Sequence, residues 1–310
     1  MGILKVKTEQ ILLEESFTIS YPLYEEKLYE SIKKVGLLSY PILKKEKDKF
    51  KIICGKRRIF VLKKLGIKEF EALVIKISNK DAFILGFLDN LAKRDLNLVE
   101  KINVLKGLKE ICKLSWSQIA ENFSQSLNLP SNPHYLNKIY YIHELEDSAK
   151  ILLCKERINL ETCLRLLRLN ETERKVFLEV FNKLFLGRNK ANDLLDFYFK
   201  IRNKRSQKDI LKKIQSFLKK EHTSPKQLFQ TLREYLFRKA YPRYSAAKDK
   251  VKNLINNLKL QDIKVEFPQN FEEKELIFSF KVQNIKDFIT KVNALSHIDK
   301  EKLSEIFKTL

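Results

Sequence analysis

The sequence predicts an α+β protein, mainly helical. It is read as a small mixed α/β domain over residues 1–97, an all-α helix-turn-helix-like domain over 98–200, a basic helical connector over 201–244, and an α-β-β-α domain over 245–310. Three observations predict this layout. At 310 residues with 44% hydrophobic and 32% charged side chains, the chain exceeds one ordinary core. Only 7 Gly and 7 Pro leave little room for low-complexity linkers. The apolar spacing changes twice along the chain, from mixed periods to a long run at helical period after Leu98, and then to period two near the C-terminus.

The elements follow in order. Leu28 to Val35 carries apolar residues at helical spacing and ends at Gly36, a natural residue to follow a helix. Pro41 to Lys44 and Phe50 to Cys54 read as short strands around the polar turn Lys45 to Lys49. Arg58 to Leu65 reads as a helix stopped at Gly66, Phe70 to Ile77 as a strand, and Asp81 to Asn90 as a helix. Val99 to Cys112 and Trp116 to Phe123 are the next helices. In SWSQIAENF the small Ala120 would let two helices cross closely, as in a helix-turn-helix whose recognition helix runs from Tyr135 to Leu145. The intervening Ser124 to Pro133 is longer than the usual turn of that motif, so a plain pair of bundle helices is the alternative. Ser245 is placed to cap a helix through Leu258, Ile263 to Phe267 and Leu276 to Val282 alternate as strands, and Ile285 to Leu295 is a final helix.

Charge narrows the partners. The net charge of +22 divides as +6 over residues 1–100, +4 over 101–200 and +12 over 201–310. Lys200 to Lys259 holds 18 basic against 4 acidic residues, with Phe217, Phe229, Tyr235, Phe237, Tyr241 and Tyr244 interleaved. Such a stripe is the footprint of a polyanion partner, with a solvated lysine-rich helix face as the alternative. Lys212, Lys213, Lys219 and Lys220 are its candidate DNA contacts, joined by Ser117, Gln118, Tyr135, Asn137 and Lys138 of the helix-turn-helix. No apolar stretch approaches a bilayer span and the N-terminus lacks a signal peptide's apolar core, so no membrane partner is expected and the chain is read as cytoplasmic and nucleoid-associated. Cys54, Cys112, Cys154 and Cys163 have no paired spacing and read as buried thiols. The four histidines lack a ligand at i+3 or i+4 that would suit zinc.

The stretch ICGKRRIFVLKKLG sets Lys56, Arg57 and Arg58 directly behind Gly55, where a strand gives way to a helix. Cations at a helix N-terminus oppose the macrodipole, so an anion there would relieve them. Gly55-Lys56-Arg57-Arg58 resembles the GxRR box of the ParB family of DNA-partition proteins. Upstream, the segment from Leu28 through Gly36 to Pro41 and Ile42 is similar to that family's L-x-x-S-I-x-x-x-G-L-L-x-P-I segment, with one extra residue before the proline. Downstream, DNLAKRDLN from Asp89 to Asn97 resembles its E-N-x-Q-R-x-x-L-N box. The two C-terminal strands and the helix from Ile285 look like the family's dimerising, DNA-touching end domain.

The resemblance implies a dimeric clamp on DNA, acting in chromosome or plasmid partition or related regulation, whose N-terminal domain binds CTP with Mg²⁺. It implies nucleotide contacts from Gly36, Pro41, Gly55, Lys56, Arg57, Arg58, Asn90, Lys93 and Arg94, and metal ligation by Asp89 and Asn90; oxygen donors suit Mg²⁺. Asp89 is also the candidate catalytic residue. It stands where the family has a glutamate and Ala92 where it has a glutamine, so at most a weak CTPase is expected. The family's arginine-rich tail that recruits a ParA-type ATPase is missing ahead of the first box, which makes DNA and a second copy the expected partners before ParA. A nuclease or phosphotransferase on the same N-terminal fold, which sulfiredoxin-like proteins also share, and a non-specific nucleoid-associated protein are the competing readings.

Overall fold

Short strands with one apolar side need a partner sheet or helix to bury it, and the first ninety residues supply both. The computed structural model describes residues 2–14, 16–184, 188–202, 207–219, 224–268 and 273–309, which divide into two compact units. The first comprises Met1–Leu195 with Asp209–Leu228, and the second Asp196–Lys208 with Phe229–Leu310. The expected border at 97/98 therefore falls inside the first unit. No helix is long and apolar enough to cross a membrane among the described residues.

The first unit opens with β1 (Gly2–Lys7), a 3-10 turn, β2 (Ile11–Leu12), α1 (Glu26–Val35), β3 (Ile42–Glu46), β4 (Lys49–Cys54), α2 (Lys56–Lys64), β5 (Glu69–Ile75) and α3 (Asn79–Leu91). The five strands form one mixed sheet in the order β1-β5-β3-β4-β2. β3 and β4 are an antiparallel hairpin, β5 runs parallel to β3 with Ile42 opposite Leu73, and β1 closes the edge antiparallel to β5. Leu43, Ile52, Ile59, Val61 and Ala72 are buried between sheet and helices. The expected strands and helices are present within a few residues. β1 and β2 are additions: as an edge strand β1 buries only Val6, which leaves almost no alternation to read.

Helices then take over: α4 (Leu98–Glu110), α5 (Trp116–Phe123), α6 (Pro133–Tyr140), α7 (Asp147–Cys154), α8 (Leu160–Leu166), α9 (Glu171–Leu184), α10 (Arg188–Ile201) and α11 (Gln207–Leu218). α3 and α4 approach so closely that a Cβ on Gly107 would lie 2.0 Å from the Phe83 ring. The long connection after α5 has a local cause. Leu127 N bonds Phe123 O, Asn128 N bonds Gln125 O and Leu129 N bonds Ser124 O, with Asn128 at φ 49. This is a Schellman-type closure with asparagine in the left-handed position, so the chain stays helical one turn beyond Phe123 and the open turn shrinks to 128–132. The predicted recognition helix is shorter than expected. The Asn132 side chain caps it, Pro133 starts it, and a 3-10 turn replaces it from Tyr141 to Glu144.

The remaining elements are α12 (Pro225–Ala240), α13 (Pro242–Asn257), β6 (Lys264–Glu266), β7 (Ile277–Ser279), α14 (Ile285–Ser296) and α15 (Lys300–Thr309). β6 and β7 pair antiparallel, and Val251 of α13 packs with Ile306 of α15, a helix beyond the last one expected from the sequence. Ser245 is not the helix cap. Pro242 already fixes the first helical φ, which carries Ser245 inside the helix with its hydroxyl unpartnered. α14 buries no residue and presents Ile285, Phe288, Ile289 and Val292 at i, i+3, i+4 and i+7 to solvent in this chain.

Candidate nucleotide site and nucleic-acid surface

Gly55 ends β4 at φ 92, a left-handed conformation that favours glycine, and no side chain caps the helix it starts. The first-turn amides of α2 therefore carry no side-chain cap, and the three cations beside them leave in three directions.

Arg58 folds back over Gly55. A Cβ there would lie 3.0 Å from Arg58 Nη2 and 3.2 Å from the Pro41 side chain. Arg58 Nη1 donates to Ser39 O at 2.6 Å and to the Ser39 hydroxyl. Burial holds this guanidinium below its usual pKa, with Asp89 opposing the shift. Asp89 in turn accepts from Lys93 Nζ at 2.6 Å and from the Cys54 thiol. Burial, then Asp89, pushes that thiol up to about 12. Gly55, Pro41, Arg58, Asp89 and Lys93 thus gather at one place.

Arg57 points elsewhere. Its Nε donates to Pro22 O at 3.0 Å, Nη1 to Glu25 at 3.3 Å, and Nη2 to Tyr21 O and to Glu100 Oε1, both at 3.1 Å. Arg94 grips the same carboxylate with Nη1 on Oε2 at 2.5 Å and Nη2 on Oε1 at 2.6 Å, which raises its pKa. The backbone amides of Tyr21 (3.0 Å) and Asn97 (3.1 Å) complete five hydrogen bonds to a Glu100 side chain that is 0% exposed. Asn90 belongs to this group: its Nδ2 donates to Gly86 O at 2.7 Å and its Oδ1 accepts from Arg94 at 3.4 Å. Sequence reasoning missed Glu100, although Asn97 followed three residues later by a glutamate is the signature of the capping box the two form.

Lys56 takes the third direction, into a 730 Å³ cleft with Glu14, Thr18, Tyr24 and Lys106, where burial lowers its pKa. Gly36, at φ 73, ends α1 and lines a groove of 380 Å³ with Leu37, Leu62 and Phe70. Its expected nucleotide role and that of Lys56 gain no neighbour from the Arg58 group in these contacts. No set of three His, Cys, Asp or Glu side chains able to hold a metal occurs among the described residues. Asp89 with Asn90 offers one carboxylate, and Mg²⁺ is commonly held by one or two carboxylates together with substrate phosphates.

The helix-turn-helix candidates lie on two helices in contact. Ser117 and Gln118 are exposed at the start of α5, where the Gln118 side chain accepts from Ser115 N at 2.9 Å and so belongs to the cap. On α6, Lys138 is exposed while Tyr135 and Asn137 are half-buried. The rings of Trp116 and Tyr141 meet Tyr140 edge to face, His143 packs on it at a tilt, Tyr140 donates to Glu110 at 2.8 Å, and Lys109 sits over the Trp116 ring. Lys212 and Lys213 are exposed on α11, whose Ile210 and Ile214 are buried, and the exposed Lys219 follows the helix; Lys220 lies outside the described residues. The interleaved aromatics are not free stacking platforms. Phe217 is buried, and Phe237 packs on Phe197, Tyr241 and Tyr244.

The family described as ParB N-terminal domain matches residues 23–91. The chain is 32% identical over 134 residues to the chromosome-partitioning protein ParB of Myxococcus xanthus, covering 42% of this chain and 45% of that protein. It is 32% identical over 127 residues to the probable chromosome-partitioning protein ParB of Campylobacter jejuni, covering 41% and 46%. The match thus spans about half the length of these relatives. Among solved structures, the C-terminally truncated Caulobacter crescentus ParB complexed with CTP-γ-S aligns at 16% identity and a TM-score of 0.27, over 59% of this chain and 99% of that one.

Proposed function

We propose that the chain is a DNA-binding partition protein of the ParB kind, dimeric and gated by CTP with Mg²⁺, a reading supported by the match of residues 23–91 to the ParB N-terminal domain family. The observation that carries the nucleotide reading is the convergence of Gly55, Arg58, Asp89 and Lys93 at an uncapped helix start. Uncapped amides and a planar guanidinium suit phosphate oxygens, and Lys93 adds a mobile positive charge. Asp89 would give Mg²⁺ one carboxylate oxygen, with phosphate and water supplying the rest. Already held by Lys93 and Cys54, that carboxylate is poorly placed to serve as a base, so binding with little turnover is expected. The Cys54 thiol, buried and with its pKa pushed up to about 12, is a poor nucleophile, which argues against sulfiredoxin-like chemistry.

DNA is the partner best supported by charge. α5 and α6 present the reading surface, and the exposed lysines of α11 supply backbone contacts. Dimerisation is supported by the solvent-facing apolar stripe Ile285, Phe288, Ile289 and Val292 of α14. Selection of binding sites from a random duplex pool, with and without CTP, tests the proposal. Enrichment of one sequence whose occupancy changes with CTP is expected; uniform recovery of all sequences would make the chain a non-specific nucleoid protein instead.

A further inference from the structure

The two adjacent residues that close α4 hold different helices of the candidate reading surface. Lys109 Nζ donates to Leu114 O at 3.3 Å and lies 5.3 Å from the centre of the Trp116 ring, which pins the first residue of α5. Glu110 accepts from the Tyr140 hydroxyl at 2.8 Å, which pins the last residue of α6. Trp116 and Tyr140 then meet edge to face, their centroids 5.3 Å apart and their planes at 69°. The four side chains close a ring, so a turn of either helix breaks one of its contacts. None of the four is among the expected DNA contacts.

Tyr140 is fixed through its backbone as well. The 2.7 Å contact between His143 Nδ1 and Tyr140 O puts the proton on Nδ1, since a carbonyl only accepts, and it ties the end of α6 to the 3-10 turn that follows. Burial, then the Glu110 carboxylate, push the Tyr140 hydroxyl up to about 12, so it remains a donor. The geometry gives this anchor leverage. A helix of 8 residues is roughly 12 Å long, so a tilt of about 10° at Tyr140 moves the first turn of α6 by roughly 1 to 2 Å. Hydrogen bonds form within a distance window of about 0.5 Å, so such a tilt would cost Tyr135 and Asn137 their bonds to a base edge.

We propose that Tyr140 is a positioning residue for DNA reading: held by Glu110 and Trp116, it fixes the tilt of α6 and thereby sequence discrimination, while touching no DNA itself. The inference rests on the DNA reading of α5 and α6 proposed above. It is separable from general affinity, because phosphate contacts carry non-specific binding whereas base-edge geometry carries selectivity.

The experiment uses the full chain, the duplex enriched from the random pool, and a random-sequence duplex of equal length. Tyr140→Phe keeps the ring and removes the hydroxyl, Glu110→Ala removes the acceptor, and Glu110→Gln supplies a neutral one. Circular dichroism and unfolding midpoints verify each fold. In Tyr140→Phe and in Glu110→Ala, affinity for the enriched duplex should fall by about three- to tenfold, the span of one hydrogen bond, with random-duplex affinity and its salt slope unchanged. The double variant should lose no more than either single one, because both remove the same bond, and Glu110→Gln should keep most of the preference. An unchanged ratio of the two affinities in folded Tyr140→Phe and Glu110→Ala would overturn the positioning role. So would a parallel loss on both duplexes or a shallower salt slope, which would make these residues DNA contacts or supports of the fold. An unmodified chain that does not prefer the enriched duplex would sink the DNA reading and this inference with it.

Discussion

Two sides of one helix start differ in how their arginines are used. Arg57 enters a closed group in which the buried Glu100 carboxylate is matched by two guanidinium ions and two amides. Arg58 stays with a carboxylate, a lysine and an uncapped turn of backbone amides. One region is complete without a ligand; the other is short of acceptors. Adjacent residues of one sequence box therefore divide the work: the first joins α2 to the start of α4, and the second belongs to the proposed anion site. The same split applies downstream, where Arg94 goes to Glu100 and Lys93 to Asp89.

The largest expected effect tests the closed side. Glu100→Ala leaves Arg57 and Arg94 facing each other in a poorly hydrated site, and breaking a buried pair in this way costs about 3 to 5 kcal/mol. Denaturant unfolding should show that loss, whereas Glu25→Ala, which removes only the exposed partner of Arg57, should cost within about 1 kcal/mol. Equal effects of the two would erase the distinction between the regions.

The fold was legible wherever periodicity was strong. The helices Leu98–Glu110 and Trp116–Phe123 and the β3–β4 hairpin follow from apolar spacing, while β1 escaped because an edge strand with one buried residue carries no alternation. Of the candidate site, the boxes name neighbouring cations without apportioning them. Lys56, Arg57 and Arg58 are equivalent as a written motif, and only the helical turn of 100° per residue separates their directions. Glu100 hid for a related reason: a charged residue among apolar ones reads as a solvent-facing helix position unless its partners are known. The aromatics between Lys200 and Lys259 gave the opposite error, because packing rings and base-stacking rings look alike in sequence.

A smaller effect sharpens the open side. Gly55→Ala forces a side chain into a left-handed backbone and against Arg58, so stability should fall by roughly 1 to 3 kcal/mol. Nucleotide affinity should fall with it, measured on protein kept well below its unfolding midpoint. Smaller still is the Cys54 term. Because its pKa is raised to about 12 in the folded state, its contribution is fully present below the unfolded thiol pKa of about 8.5 and is lost as pH rises toward 12. Cys54→Ala should flatten the decline of stability over that window, and native protein at pH 8 should resist alkylation at Cys54. Rapid labelling there would place the thiol outside the core. At the low end, Lys212→Ala, Lys213→Ala and Lys219→Ala together should reduce the DNA salt slope by up to about 0.9 per phosphate contact, with no change in nucleotide affinity.

The most direct test is a calorimetric titration of CTP, ATP and GTP, each with Mg²⁺, into the unmodified chain and Arg58→Ala. CTP should bind in preference to the purine nucleotides. Loss of one charge-assisted guanidinium contact, worth about 1.5 to 3 kcal/mol, should weaken it roughly ten- to a hundredfold while the unfolding midpoint stays near that of the parent. Equal affinity for all three nucleotides, or unchanged CTP affinity in Arg58→Ala, would contradict the assignment of the open side of α2 as the nucleotide site.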